Sequence, residues 1–341
     1  MPWKGEKDPY KIWLSEIILQ QTRVQQGLEY YNRFVAQFPT IHHLAKSSET
    51  KVFKLWEGLG YYTRCKNLIA TATYISKELK GRFPDRYKDI LSLKGIGPYT
   101  AAAIGSFAFK LPYAVVDGNV FRVLSRYFGI TTAIDTNEGK KLFTTLANEL
   151  LDKDEPGIYN QSLMDFGAVI CKPVLPLCTV CPLKSSCSAY IKGMVNELPV
   201  KEKSITKKRR WLYYFVIEHK GQVYVRKRGA GDIWENLYEF MLIEKETKYP
   251  VEELKKIKTV KEKFGKNKFE IIYISRVYKQ LLTHQIIEGR FIGISIHNPV
   301  KLDGYELLSE KEIKLLPFPK FITAYLKDKN VPLKLFQGKA G

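Results

Sequence analysis

Apolar residues recur at three- and four-residue spacing in 27–38, 49–59, 65–79, 99–109 and 119–128, which predicts helices joined by short loops. No strand pattern interrupts the stretch from residue 8 to about residue 151. It opens with DPYKIWLSEIILQQTRV, residues 8–24, whose interior is nearly all apolar. Asp8 suits an N-cap and Pro9 the first helical position, so a helix is expected to start there. One more helix, 158–171, leads into a group of cysteines. Residues 196–210, NELPVKEKSITKKRR, are polar, basic and without period, and read as a linker. Its cluster 207–210 reads first as a solvated face and second as a contact to DNA backbone. Beyond Trp211 the texture changes. WLYYFVI, QVYVRKR, FEIIYISRVYK and HQIIEGRFIGI are aromatic and β-branched strand candidates, with Gly221 at the turn between the first two. Helices are expected at 251–258, from Ser309, where Ser309 and Glu312 fit a capping box, and at 318–326. The pattern gives an all-α part over 1–195, the linker, an α+β part over 211–330 and a tail over 331–341.

The totals fit this division. A chain of 341 residues with 45% hydrophobic content can supply two cores. A formal charge of +20 points to a polyanionic partner, nucleic acid being the usual one, although surplus solubilising lysine gives the same total. No apolar run approaches the ~20 residues of a membrane span, and the N-terminus does not resemble a signal peptide. A cytoplasmic protein is therefore expected. Four of the five cysteines lie between 171 and 187. Without an export signal they suggest a metal site over disulfides, and Cys65 reads as a buried structural thiol.

Glu16 lies three residues after Trp13 and four after Ile12, on their apolar helix face. Burial there raises a carboxyl pKa, as a general acid needs at neutral pH. A structural Glu paired with a basic side chain fits the same position. The tail Gln20, Gln21, Thr22 and Arg23 suits a helix end that meets a ligand. Next comes LKGIGPYTA, residues 93–101, with two glycines one residue apart before Pro98. Such a turn points backbone N–H groups outward at a helix start, where a phosphate can bind. It resembles the helix-hairpin-helix of DNA repair proteins. In VVDGNV, residues 115–120, an apolar run stops before a helix, so Asp117 stands at a helix N-terminus that favours its charged form. On its own Asp117 reads as an N-cap. Beside Glu16, the pair fits the acid-plus-stabiliser division used against glycosidic bonds. Finally, Cys171, Cys178, Cys181 and Cys187, spaced 6-2-5, can close one tetrahedral site, and spacing alone leaves zinc and iron–sulfur open.

Four blocks taken in order resemble the MutY-type A/G-specific adenine DNA glycosylases of the endonuclease III superfamily: PW-x6-PYKIWLSEIILQQT, LWEGLGYYTRCKNL, LKGIGPYTAAAI with VDGNVFRVLSR, and the cysteine loop. The resemblance covers nearly the whole chain. It implies one 4Fe–4S cluster on the loop 171–187, as a structural element. It implies that Glu16 protonates the adenine and later positions water, that Asp117 stabilises the sugar cation, and that Tyr99 and Asn119 hydrogen-bond within the site. Gln21 and Tyr61 would insert near the orphaned base; Gln20, Thr22, Arg23, Lys4, Lys94, Gly95, Gly97 and Thr100 would meet DNA. The implied substrate is duplex DNA carrying adenine opposite 8-oxoguanine or guanine, met by a monomer in the bacterial cytoplasm, with no membrane involved.

Bifunctional relatives carry a lysine where this chain has Tyr99, and a phenol cannot form their Schiff base, so a monofunctional enzyme is implied. The second part resembles a Nudix-like module, with GDIWENLYEFMLIE standing where the family has W-x2-LY/W-x-F. The glutamate array of Nudix hydrolases is missing from the sequence, which implies binding without hydrolysis. The family's Phe-Ser-His lesion-reading loop becomes Leu282-Thr283-His284, which keeps a hydroxyl and loses an aromatic surface; an ordinary strand-edge pair is the other reading of Thr283 and His284. The family's P-W-R reads Pro2-Trp3-Lys4, and relatives carry a helix before it, so Met1 would be a start inside a longer gene. The alternatives are an endonuclease III-like pyrimidine-lesion glycosylase and a damage-binding protein without turnover. Tyr99 and the second domain argue against the former, Glu16 and Asp117 against the latter.

Overall fold

Asp8 does what its side chain suggests: Oδ1 accepts the Tyr10 N–H at 2.9 Å and starts α1, Pro9–Leu19. The computed structural model describes residues 4–202, 206–250, 253 and 269–328. Pro2, Trp3, the 331–341 tail and, apart from Glu253, the expected 251–258 helix lie outside the described residues. The chain divides into two compact units, Met1–Lys46 with Lys66–Ser204 and Ser47–Cys65 with Ile205–Gly341.

In the first unit α1 ends earlier than the 8–24 run suggested, because Gln21 takes a left-handed φ of 54° and breaks the ladder. α2 (Val24–Gln37) and α3 (Ile41–Lys46) follow. α6 (Tyr87–Ser92) and α7 (Pro98–Phe109) form the expected hairpin around 93–97. Gly95 has φ 79°, and the turn is fixed from behind by Thr71 Oγ1 donating to the Lys94 carbonyl at 2.8 Å. α8 (Gly118–Phe128), α9 (Asn137–Leu150) and α10 (Pro156–Val169) complete the helical body. Two 3₁₀ turns, Cys178–Val180 and Lys184–Ser186, and the short α11 (Ser188–Ile191) carry the cysteine loop. Helices α3, α6 and α9 were not marked by the periodic runs; two of them are only six residues long.

The second unit contains α4 (Glu49–Trp56) and the start of α5 (Tyr62–Lys77), together with the β-rich C-terminal part. Strands β1 (Lys208–His219), β2 (Gln222–Lys227), β3 (Tyr238–Glu239), β4 (Met241–Lys245), β5 (Phe269–Ile274), β6 (Tyr278–Leu281), β7 (Gln285–Ile296) and β8 (Glu306–Ser309) form one mixed sheet. Gly221, φ 78°, turns β1 into β2 as expected. β1 runs parallel to β7 and is buried on both faces. One face carries Tyr213, Phe215 and Ile217 into an aliphatic core. The other carries Tyr214 against Phe291, which in turn stacks on Tyr325 of α13 (Lys320–Leu326) at 3.9 Å. Leu212 pairs with Gly289, where a Cβ would strike the Leu212 carbonyl, so glycine lets the two strands run this close. α12 (Glu310–Leu315) starts with the expected Ser309–Glu312 capping box.

Two expectations change here. FEIIYISRVYK is two strands, β5 and β6, and β3, β4 and β8 are strands that the sequence pattern did not mark. The basic run is also not a linker throughout. Lys208 to Arg210 open β1, and the Arg210 side chain is held by two carboxylates, Asp232 and Glu244, each through two hydrogen bonds of 2.6–2.7 Å. Those ion pairs offset the desolvation that would otherwise keep an arginine at the surface. No helix among the described residues is long and apolar enough to cross a membrane.

Candidate active site

α1 and α7 meet along a polar seam inside an apolar contact. The Tyr99 hydroxyl donates to Glu16 Oε2 at 2.5 Å, and one turn on, Gln20 Nε2 donates to Thr100 Oγ1 at 3.2 Å. The four-residue spacing on α1 puts both of its residues on the face that meets the start of α7. Glu16 is 7% exposed. Burial pushes its carboxyl up to about 7; the Tyr99 bond opposes the shift and the charge of Asp117 adds to it. The same burial, with Glu16 as neighbour, holds the Tyr99 phenol well above its usual range. Glu16 also lines a cavity closed by the loop 5–7, by Phe107 and by Gly157, Ile158, Gln161 and Ser162 of α10. Lys7 reaches across to donate to the Phe107 carbonyl at 3.2 Å.

Asp117 caps α8. Its Oδ1 accepts from the backbone N–H groups of Asn119 and Val120 at 2.9 and 2.8 Å, and its Oδ2 accepts from Asn119 Nδ2 at 2.7 Å. The expectation that a helix start alone would favour the ionised form needs correcting. Burial is the largest influence and raises the Asp117 pKa; the three bonds and the nearby Arg122 guanidinium only moderate it. Arg122, which sequence reasoning did not single out, holds Asn119 in place: Nη2 donates to Asn119 Oδ1 at 2.9 Å and to the Gly167 carbonyl at 2.8 Å. Its Nε donates to the Cys171 carbonyl at 2.7 Å. A chain of hydrogen bonds thus runs from Asp117 to the first cysteine of the loop.

All four loop cysteines line one pocket beside Arg126 and Tyr127 of α8. Buried Arg126 donates to the Cys171 sulfur at 3.5 Å and to the carbonyls of Lys172, Pro173 and Leu198 at 2.7–3.3 Å. Among the described residues no three His, Cys, Asp or Glu side chains are grouped as a grip for a single ion. Cys65 is fully buried, as expected. Lys94, Gly95, Gly97, Gln21 and Arg23 are exposed, with Thr22 half-buried and Thr100 buried. Lys4 pairs with Asp165 at 2.5 Å. In the second unit, the Tyr61 hydroxyl stands 2.7 Å from Thr283 Oγ1, and His284 beside it is exposed.

Residues 14–149 match the HhH-GPD superfamily base excision DNA repair proteins. The chain is 38% identical over 240 residues to the adenine DNA glycosylase of Buchnera aphidicola subsp. Acyrthosiphon pisum, spanning 70% of this chain and 69% of that one. The chain belongs to the adenine DNA glycosylases. The Homo sapiens adenine DNA glycosylase is 38% identical over 198 residues, 55% of this chain and 36% of that one. Among solved structures, a thermostable thymine-DNA glycosylase is 33% identical, with TM-score 0.52 over 56% of this chain and 88% of that one. A trapped endonuclease III–DNA covalent intermediate, 22% identical with TM-score 0.50 over 55% of this chain and 87% of that one, shares the fold.

For a member of the adenine DNA glycosylases, the residues that sequence reasoning missed are Arg122 and Arg126. Little signal was present: on the amphipathic α8, arginines four residues apart read as a solvated face, and their carbonyl partners Gly167, Cys171 and Leu198 lie 45 to 72 residues away. The Glu16 pKa has a consequence for stability. The folded value, about 7, lies above the ordinary 4.5, so the folded state holds this proton more tightly. The resulting stability is fully present below the unfolded value and is lost as pH rises through about 7. Glu16→Gln should therefore be more stable than wild type above that pH, with the gap closing toward pH 4.5. Urea unfolding midpoints of the two proteins across the range check this.

Proposed function

We propose that this chain is a monofunctional glycosylase that hydrolyses the N-glycosidic bond of an adenine flipped out of duplex DNA, opposite 8-oxoguanine or guanine. The observation that carries it is a carboxyl near neutral pKa, facing a cavity, with a second hydrogen-bonded carboxylate acting on it electrostatically. In this reading Glu16 gives its proton to a ring nitrogen of adenine. The bond electrons leave with the base, and the sugar becomes an oxocarbenium-like cation. Asp117, held by three hydrogen bonds, stands as its counter-charge. Water then adds to the sugar carbon, and its proton returns to Glu16. Tyr99 and Asn119 hold the two carboxyls in orientation. Gln20 to Arg23, Lys4 and the hairpin residues Lys94, Gly95 and Gly97 would take the DNA backbone and the opened stack. Monomeric action on DNA in the bacterial cytoplasm completes the reading.

The loop residues Cys171, Cys178, Cys181 and Cys187 fit a 4Fe–4S cluster. A pocket lined by all four cysteines, with Arg126 donating to the Cys171 sulfur, supports the reading. When bound, it would fasten the loop 171–187 as a structural element. In the second unit, which we read as Nudix-like, Thr283 and His284 would contact the oxidised base. The Thr283 hydroxyl can accept the N–H that oxidation creates on the purine five-membered ring, where guanine offers only an acceptor.

Three outcomes test the reading. Single-turnover base release should fall as pH rises above about 7, and Glu16→Gln should be ~10²–10⁴ slower while still binding the mispair; near-normal turnover would sink the assignment. With Tyr99 in place of a lysine, the product should be an intact abasic strand that breaks only after alkali, with little borohydride cross-linking. Tyr99→Lys should raise the cross-link, and efficient trapping by wild type would mean that another amine attacks. Anaerobically purified protein should be brown and contain iron, and Cys171→Ser should lose folding or DNA affinity first. Stoichiometric zinc without iron would overturn the cluster.

A further inference from the structure

Residues 47–65 meet turns of the C-terminal part through a small set of directed polar contacts. Glu57, the C-cap of α4, accepts the Phe318 N–H on Oε1 at 2.8 Å. Lys54, three residues earlier, donates to the Leu316 carbonyl at 2.9 Å and to the other Glu57 oxygen at 3.0 Å. The two side chains thus clasp the turn between α12 and α13, satisfying one donor and one acceptor left over at the helix ends.

Beyond Glu57 the chain turns through a loop of left-handed residues. Gly58 and Gly60 have φ of 93° and 83°, and Tyr61 has φ of 50°, an uncommon value for a residue with a Cβ. Buried Trp56 donates its indole N–H to the Gly60 carbonyl at 2.9 Å. The Arg64 guanidinium lies 5.3 Å from the ring centroids of both Trp56 and Tyr61. Tyr61 is therefore placed by the end of α4. On the other side of the clasp, the Phe318 turn starts α13. Its Tyr325 stacks on Phe291 of β7 and meets Tyr278 of β6 edge-on at 6.1 Å. The turn 282–284, with Thr283, joins β6 to β7. The two halves of the Tyr61–Thr283 contact, 222 residues apart in sequence, thus lie on the two segments that the Glu57–Phe318 bond joins.

We propose that Glu57 is a positioning residue for lesion discrimination: by fastening the Phe318 turn to α4, it sets Tyr61 and Thr283 as one preformed pair that meets the base opposite the excised adenine. The proposal rests on the reading of Thr283 as the contact to the oxidised base. Both Glu57 carboxylate oxygens are engaged within the protein, by Lys54 and by the Phe318 N–H. The effect of Glu57 is on the spacing of Tyr61 and Thr283, so it acts on the ratio between oxidised and ordinary mispairs more than on the chemistry at Glu16.

The test compares base release from A:8-oxoguanine and A:G duplexes by the full chain and its variants Glu57→Ala, Glu57→Gln, Thr283→Val and Glu57→Ala with Thr283→Val. Glu57→Ala should lower the preference for the oxidised mispair by roughly three- to tenfold, the worth of about one hydrogen bond. Glu57→Gln, which keeps an oxygen for the Phe318 N–H, should retain most of it. The double variant should lose little beyond Thr283→Val, because both act on one contact. An unchanged preference in Glu57→Ala, or single effects that multiply in the double variant, overturns the proposal. Where Thr283→Val lowers the preference and Glu57→Ala does not, the clasp fails and the reading of Thr283 stands. Where Thr283→Val keeps the wild-type preference, both fall. Should Glu57→Ala not fold, Lys54→Met, which removes the bonds to Leu316 and to Glu57 and leaves the Glu57–Phe318 bond, is expected to give a partial loss, and a wild-type preference there overturns the clasp.

Discussion

A carboxyl group kept from water on an apolar helix is costly to ionise, and the neighbouring elements meet it with chosen donors. Glu16 receives one hydrogen bond, from Tyr99, whereas Asp117 receives three. Both are desolvated, and both pKa values rise. Donors oppose the rise at both: Asp117 meets three together with the Arg122 charge, and Glu16 meets the Tyr99 phenol while the Asp117 charge adds to its rise. Glu16 is left near neutrality because α7 offers it a single phenol. A lysine in place of that phenol would set a positive charge beside it and favour the ionised form.

Helix α8 acts as a ruler between this centre and the cysteine loop. Asp117 caps its start, Arg122 sits one turn in, and Arg126 one turn further. Arg122 ties Asn119 to the Cys171 carbonyl, while Arg126 ties the Cys171 sulfur to the carbonyls on either side of the loop. Buried arginines suit this task because a planar fork can satisfy several fixed carbonyls at once. A structural role for the loop is the consequence: the bonds that shape it also hold the side chain that orients Asp117.

Features decided by neighbouring residues were legible in the sequence. The Asp8–Pro9 start, the glycine hairpin at 93–97, the Gly221 turn and the Ser309–Glu312 box all appear where the pattern put them. Features decided by distant partners were not. β3, β4 and β8 have two to five residues each and are defined by the strands they pair with. Arg210 looked like part of a solvated run because its partners Asp232 and Glu244 lie 22 and 34 residues away. Glu16 was readable as a tuned carboxyl because its own helix supplies the apolar face. The raised pKa of Asp117 was not, because it arises from burial by other elements.

The alanines of α7, residues 101–103, come directly after Tyr99 and Thr100, and all three are buried. Ala102 and Ala103 form a small core with Val115 that Tyr99 borders, so the placing of the phenol depends on side-chain volume in that core. Sequence drift is then constrained by bulk as much as by chemistry. A methyl-to-isobutyl change at Ala102 or Ala103 would overfill that core and shift the phenol against Glu16 without altering one functional group.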